Sequence, residues 1–155
     1  MTNLVRAIVV AMLALTVTQP GPPYPVIVVD NPQEVRRAVD VRVDGTFTPS
    51  QQEAEAPRRD LARYLEAESR GEKSKDRQDR LHQIGLVQDK YVWHCGGYKK
   101  GRQKYLFCTF VWREPGERLL QKTFPVIKDG GISVCYCHFS MKRGRIVRLE
   151  WNGEA

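Results

Sequence analysis

The pattern of apolar and polar positions divides the chain into three stretches. The first, residues 1–19, contains an apolar run of 11 residues, 7–17, which follows Arg6 and precedes several prolines. A membrane-spanning helix needs about 20 apolar residues, whereas the core of a signal peptide needs roughly 7 to 15. We therefore predict a signal peptide over residues 1–19; the alternative is a buried N-terminal strand or helix.

The second stretch, residues 20–89, is predicted to be an α/β and charged helical segment that is partly flexible. It opens with an apolar, β-branched run at residues 24–29, which predicts a short strand. Asn31 followed by proline is typical of a helix start and predicts a helix of about two turns. Val41 and Val43 alternate with charged residues and predict a second brief strand, which ends before a turn.

The rest of this second stretch is charged and poor in apolar residues. Leu61, Tyr64 and Leu65 form one narrow apolar stripe with helical spacing, which predicts a helix over residues 57–68. A second, shorter helix is predicted over residues 75–84, after a flexible connection without apolar residues. The alternative is that much of this charged segment is disordered.

The third stretch, residues 90–155, is dominated by β-favouring runs that are separated by short turns. We predict strands over five segments: 91–95, 104–114, 118–128, 132–141 and 145–151. Short turns between such strands indicate an antiparallel meander, in which Pro125 should lie at an edge or a bulge. The predicted fold class is therefore α+β, with short N-terminal helices and a disulfide-stabilised meander of about five strands.

Positive charge is concentrated in the third stretch. Residues 90–155 contain 13 Lys and Arg against 5 Asp and Glu, whereas residues 1–89 contain 12 against 13. A positive C-terminal part favours an anionic partner, such as nucleic acid, an acidic protein surface, or anionic lipid or glycan. The alternative is that the charge serves only solubility.

All four cysteines also lie in the third stretch: Cys95, Cys108, Cys135 and Cys137. An even number in a small exported chain predicts two disulfides, which would link strand 132–140 to strands 91–95 and 104–112. The sequence leaves three pairings open. A zinc site that includes His94 and His138 is the alternative, but only Cys135 and Cys137 have the close spacing of a zinc knuckle. We predict no metal and no cofactor.

Acid–base chemistry has candidate residues on the predicted sheet. Arg148 and Glu150 share a strand face, and His138 lies on the preceding strand. Such a set is sufficient for a phosphodiesterase of the secreted ribonuclease type, but solubility explains the same residues. We therefore predict no catalytic residue, and an enzyme is the less favoured interpretation.

Two basic loops are the candidate binding surface. They join the first two and the last two predicted strands, and aromatic residues such as Tyr98 and Tyr105 lie near the first loop. Basic residues interleaved with aromatics can hold single-stranded nucleic acid by phosphate contacts and stacking. The alternative is that these are ordinary solvated hairpin loops. The predicted anion-binding or partner-binding residues are Lys99, Lys100, Arg102, Lys142, Arg143 and Arg145.

Three fragments, "HCGGYKKG", "TFPVI" and "GRIVRLEWNGE", are similar to pieces of the small secreted effectors of plant-pathogenic fungi, some of which are ribonuclease-like. The layout of a signal peptide, a small mature chain and a four-cysteine basic β-domain also resembles that group. The chain departs from the ribonuclease-like members because it ends directly after the last predicted strand. The resemblance therefore implies export and interaction with a host, and it assigns no reaction and no catalytic residue.

These observations together predict a secreted virulence effector that binds a host or extracellular partner without catalysis. The places where it could act include the inside of a host cell. The partner is expected to be a protein, with nucleic acid, anionic lipid or glycan as alternatives, and no transmembrane segment is expected. A secreted ribonuclease-like or RNA-binding protein is the alternative function.

Overall fold

A computed structural model describes residues 23–128 and 130–153 of the chain. The predicted signal peptide lies outside these residues and stays a prediction. None of the helices in the described ranges is long and apolar enough to cross a membrane. The fold is a mixed α+β arrangement, which confirms the predicted class in its general form.

Within the described residues, three α-helices precede the four C-terminal strands: α1 (Pro32–Ala38), α2 (Gln51–Gly71) and α3 (Lys75–Leu86). The side chain of Asn31 accepts a hydrogen bond from the Gln33 backbone N–H at 2.9 Å, so the predicted cap of α1 is confirmed. A capping box at Ser50 begins α2. Both charged helices are longer than predicted and are joined by only three residues, 72–74, so the charged segment is helical rather than disordered.

Six strands of the described part of the chain form one sheet: β1 (Val26–Val28), β2 (Gly45–Phe47), β3 (Tyr91–Lys100), β4 (Gln103–Trp112), β5 (Val134–Ser140) and β6 (Arg145–Trp151). The order is β1-β3-β4-β5-β6, and β2 also pairs with β3. β1 runs parallel to β3, whereas every other pair is antiparallel. The N-terminal segment therefore adds both of its strands to the sheet of the C-terminal segment.

Two predicted strands are wrong. Residues 118–128 form no strand, because β4 and β5 pair directly with each other and leave no place between them. The C-terminal meander consequently has four strands rather than five, and Pro125 lies in the loop that joins β4 to β5. Val41 and Val43 precede β2 instead of forming it, since pairing with β3 begins only at Gly45.

The two faces of the sheet are covered by different elements. Helices α2 and α3 cover one face, where their buried leucines pack against aromatic residues such as Trp93 and Phe110. All four cysteines lie in this core. Helix α1 and the β4–β5 loop cover the other face, where Val35 and Phe124 pack near Phe107. The first face is the larger apolar core, and the second face carries the buried histidines.

Helix α2 also closes the free edge of β6. A carboxylate oxygen of Asp60 accepts a hydrogen bond from the Ile146 backbone N–H at 2.7 Å. Edge strands present unpaired backbone groups that invite aggregation unless other groups cover them. Asp60 therefore supplies a backbone N–H of the edge strand with an acceptor from within the same chain.

Candidate functional site

The six basic residues selected from the sequence lie at one end of the sheet. Four of them belong to the turns β3–β4 and β5–β6 or directly precede them. Because the strands reverse direction at every turn, the first and third turns of the meander lie at the same end of the sheet. The Met141 backbone N–H donates a hydrogen bond to the Lys104 carbonyl oxygen at 3.1 Å, which joins the second turn to β4. We call this end the basic edge; its exposed cations are Lys99, Lys100, Arg102, Lys104, Lys142, Arg143 and Arg145.

Both turns depend on a glycine with left-handed backbone. Gly101 has a φ of 58° and Gly144 a φ of 60°, a region that other residues rarely adopt. A carboxylate oxygen of Asp44 accepts a hydrogen bond from the Gly101 backbone N–H at 2.6 Å and fixes the first turn. The local sequences Lys-Lys-Gly-Arg and Lys-Arg-Gly-Arg thus combine turn geometry with positive charge.

The cations of the basic edge form no direct ion pairs among the described residues, although the Asp44 carboxylate lies at the first turn. Within residues 23–128 and 130–153, none of its seven cations forms an ion pair with an acidic side chain. Lys104 instead lies over the ring of Phe47, with its Nζ 5.0 Å from the ring centroid. Clustered cations with few counter-charges produce a positive potential that attracts anions over several ångströms.

A second group of polar residues lies beside the basic edge, on the face covered by α1. We call it the His138 cluster; its members are Asp40, Tyr98, His138, Arg148 and Glu150. Strand register explains four of them. His138 on β5 lies opposite Arg148 on β6, and the side chains of Glu150 on β6 and Tyr98 on β3 lie on the same face of the sheet as these two. Asp40 comes from the segment after α1 and completes the cluster.

The cluster is a continuous chain of polar contacts. The Tyr98 hydroxyl lies 2.7 Å from Nδ1 of His138, and Nε2 of His138 lies 3.4 Å from Oδ1 of Asp40. Arg148 then contacts Oδ2 of Asp40 at 3.0 Å and Oε1 of Glu150 at 2.8 Å. A carboxylate only accepts, so Nε2 of the neutral ring carries the proton and Nδ1 accepts from Tyr98.

Burial sets the protonation states in the cluster. Burial lowers the pKa of His138, and Arg148 lowers it further, whereas Asp40 and Glu150 raise it. Burial also raises the pKa of Tyr98. At neutral pH the ring of His138 is therefore uncharged, and both of its nitrogens already have partners. General acid–base catalysis requires a ring nitrogen within hydrogen-bond reach of the substrate, which at Nε2 would require Asp40 to move away.

His94, the other predicted candidate, has a structural role in the fold. It is fully buried on β3, and its Nε2 donates a hydrogen bond to the Leu119 carbonyl oxygen at 2.7 Å. Its Nδ1 has no partner among the described residues. Burial lowers the pKa of this imidazole, so the ring is neutral and ties the β4–β5 loop to the sheet.

One disulfide is present among the described residues, between Cys95 on β3 and Cys108 on β4. Cys135 and Cys137 on β5 are buried free thiols, which differs from the prediction that two bonds link this strand to strands 91–95 and 104–112. The physical reason is strand order and register: β4 separates β3 from β5, Cys95 lies directly opposite Cys108, and Cys135 lies opposite Phe110. No group of three or more His, Cys, Asp or Glu in the described ranges could hold a metal ion.

A cleft of about 210 Å³ opens beside the His138 cluster. Phe107 and Tyr136 form its floor, and residues of the β4–β5 loop form one wall. Pockets for drug-sized ligands measure roughly 300–1,000 Å³, so this cleft has room for a single ring or side chain.

Sequence reasoning found the basic edge and part of the cluster. It placed Arg148 and Glu150 on one strand face and His138 on the preceding strand, and the register adds that His138 lies opposite Arg148. It missed Asp40, because no local pattern indicates that the segment after α1 reaches β5, and it missed Lys104 as a part of the edge. No family model matches the chain, and no curated protein or solved structure matches it.

Proposed function

We propose that this protein is an exported, effector-like protein that binds an anionic surface of a host or extracellular partner and catalyses no reaction itself. The observation that carries the proposal is the basic edge, in which seven exposed cations on and beside two adjoining turns lack ion-pair partners within the described residues. Charge of one sign at one end steers an oppositely charged partner and orients it before contact.

The neighbouring His138 cluster supports binding rather than turnover. Its members satisfy one another, because Asp40 contacts both His138 and Arg148 and neither side chain is left without a partner. The same contacts fasten the segment after α1 to β5 and β6. The cluster thus acts as a rigid support beside the basic edge.

Charge reversal tests the basic edge. The double variant Lys100→Glu/Arg143→Glu changes one residue of each turn, and both are exposed. Lys73→Glu/Lys75→Glu makes the same change in net charge at the connection between α2 and α3 and is the matched control. Affinity is measured by fluorescence anisotropy for three polyanions: a labelled RNA oligonucleotide, polyglutamate and heparin.

We expect the edge variant to lose at least about tenfold in affinity for the polyanion that binds, and the control to change little. The wild-type affinity should also fall steeply with salt, since released counterions drive such binding. Equal affinities of the edge and control variants, or no binding to any of the three probes, would overturn the proposal.

A ribonuclease-like function is the second candidate, favoured by Tyr98, His138, Arg148 and Glu150 lying on one sheet face next to the basic edge. It requires Asp40 to move away from His138, so that Nε2 can reach a substrate. Gel analysis of the RNA recovered from the same titrations decides between the two functions. Cleavage by the wild type that disappears in His138→Asn would replace the binding proposal with this one.

A further inference from the structure

Three of the four cysteines form a row across three neighbouring strands. Cys95 on β3 lies opposite Cys108 on β4, and Cys108 lies opposite Cys137 on β5. All three side chains belong to the same apolar core and are fully buried. Cys108 therefore has a cysteine neighbour on each side, and only one of the two is bonded to it.

The backbone hydrogen bonds indicate how far apart the unbonded pair lies. The Cys95 carbonyl oxygen accepts from the Val29 N–H at 2.9 Å, so the backbone groups of Cys95 point towards β1 and away from β4. The Cα atoms of Cys95 and Cys108 are 4.2 Å apart, which fits the narrow, non-hydrogen-bonded type of antiparallel pair.

The backbone N–H and C=O groups of Cys108 point away from β3 and towards β5. Both backbone groups of one residue in a strand point to the same side, so those of Cys108 point towards β5. The Lys104 carbonyl, four residues earlier on β4, also points to that side and accepts from Met141. Cys108 and Cys137 thus form a hydrogen-bonded pair, whose Cα atoms are typically about 5.5 Å apart. Disulfides span Cα separations of about 4.4–6.8 Å, so this pair can be bonded as well.

We propose that Cys108 and Cys137 form a second disulfide position, reached from the first by exchange within the chain. The thiolate of Cys137 attacks Sγ of Cys108, the bond between Cys108 and Cys95 breaks, and Cys95 leaves as a thiolate. Cys95 takes up one proton and Cys137 has lost one, so the chain keeps one disulfide and two thiols. No external oxidant or reductant takes part in the exchange.

Cys135 is excluded from the exchange by its position. Its neighbour on β4 is Phe110, and its Sγ–H donates to the Ile132 carbonyl oxygen at 3.3 Å. It lies two residues from Cys137 on one strand, where side chains on the same face stand about 7 Å apart. Cys135 therefore supplies a matched control cysteine from the same strand and the same core.

The two isomers restrain different strands. The bond present in the structure ties β4 to β3, and β3 carries both N-terminal strands, β1 and β2. The second bond ties β4 to β5, which carries His138, and leaves β3 held by hydrogen bonds and packing. Burial raises the pKa of the Cys137 thiol, so its thiolate is scarce at neutral pH and exchange is slow.

Disulfide mapping of the full chain tests the proposal. The oxidised protein is incubated without reductant at about pH 7 and about pH 9, free thiols are trapped, and linked peptides are identified by mass spectrometry. We expect the Cys108–Cys137 linkage to appear at a rate that rises about tenfold per pH unit, since the thiolate is the attacking species. Cys137→Ser should keep only Cys95–Cys108, and Cys135→Ser should behave as the wild type.

A second variant tests the position itself. In Cys95→Ser, treatment with oxidised glutathione should link Cys108 to Cys137 and leave Cys135 free, with the fold checked by circular dichroism. A folded Cys95→Ser variant in which Cys108 stays reduced or bonds Cys135 would overturn the proposal. If that variant does not fold, the wild type decides: a single unchanged linkage at about pH 9, or mixed linkages that include Cys135, would also overturn it.

Discussion

At the scale of single residues, two adjacent glycines decide how closely the N-terminal segment can approach the sheet. A Cβ on Gly96 would lie 2.6 Å from Cγ2 of Val35, and a Cβ on Gly97 would lie 2.5 Å from the Phe47 carbonyl oxygen. Neither glycine has a positive φ, so close packing and not backbone conformation requires them. The glycine-rich fragment after Cys95 therefore has a physical explanation within this chain.

Gly97→Ala is predicted to lower the free energy of unfolding by about 1–3 kcal/mol, because the added methyl group pushes β2 away from β3. Urea denaturation followed by circular dichroism measures the change. Gly116→Ala is the control, since nothing lies within 4 Å of its added Cβ. Equal midpoints for the two variants would show that β2 moves aside without cost.

At the scale of elements, local sequence patterns were sufficient to predict a helix or strand where no other segment took its place. The β-favouring run at residues 132–141 predicted a strand, and β5 lies within it at Val134–Ser140. Residues 118–128 have strand-like composition, yet their apolar side chains Leu119 and Phe124 pack over the sheet instead of extending it. Strand pairing is a long-range property, and no local pattern in this loop could show that β4 pairs with β5.

The contact between α2 and the edge of β6 is also long-range and gives an element-scale prediction. Asp60→Ala removes the acceptor of the buried Ile146 N–H and should lower the free energy of unfolding by about 1–3 kcal/mol. Asp60→Asn keeps a side-chain oxygen and should lose less. Urea denaturation of both variants measures which one loses more free energy of unfolding. The exposed Glu66→Ala on the same helix is the control.

An effect of Asp60→Ala no larger than that of Glu66→Ala would contradict this role of α2. The comparison with Asp60→Asn separates the backbone hydrogen bond from the ion pair of Asp60 with Arg63. That ion pair is half exposed on the arginine side and should add little.

At the scale of the whole molecule, the two faces of the sheet divide structure from surface chemistry. The face under α2 and α3 is apolar and holds the cysteines, whereas the opposite face buries two imidazoles under α1 and the β4–β5 loop. Tyr98, Asp40, Arg148 and Glu150 surround His138, and the Leu119 and Gln121 carbonyls face His94. Burial on this face lowers the pKa of both imidazoles and so favours their neutral form.

The lowered pKa of the two histidines makes the free energy of unfolding depend on pH in a definite direction. The pKa of each buried histidine is lowered from its ordinary value of 6.5, so below that value the unfolded chain binds more protons than the folded one. The histidine contribution to stability is therefore complete above about pH 6.5 and is lost as the pH falls from there towards the lowered pKa. Each ring adds a slope of up to about 1.4 kcal/mol per pH unit.

His138→Gln removes one titrating group while keeping a side chain that can bind Tyr98, so it should flatten the fall in stability between about pH 7 and pH 5. Urea denaturation at several pH values measures the slope, and the exposed His82→Gln serves as the control. His94 still titrates in this variant, so a residual slope should remain. Identical slopes for His138→Gln and the wild type would mean that His138 binds its proton equally well in both states, and that the layer over this face does not depend on a neutral ring.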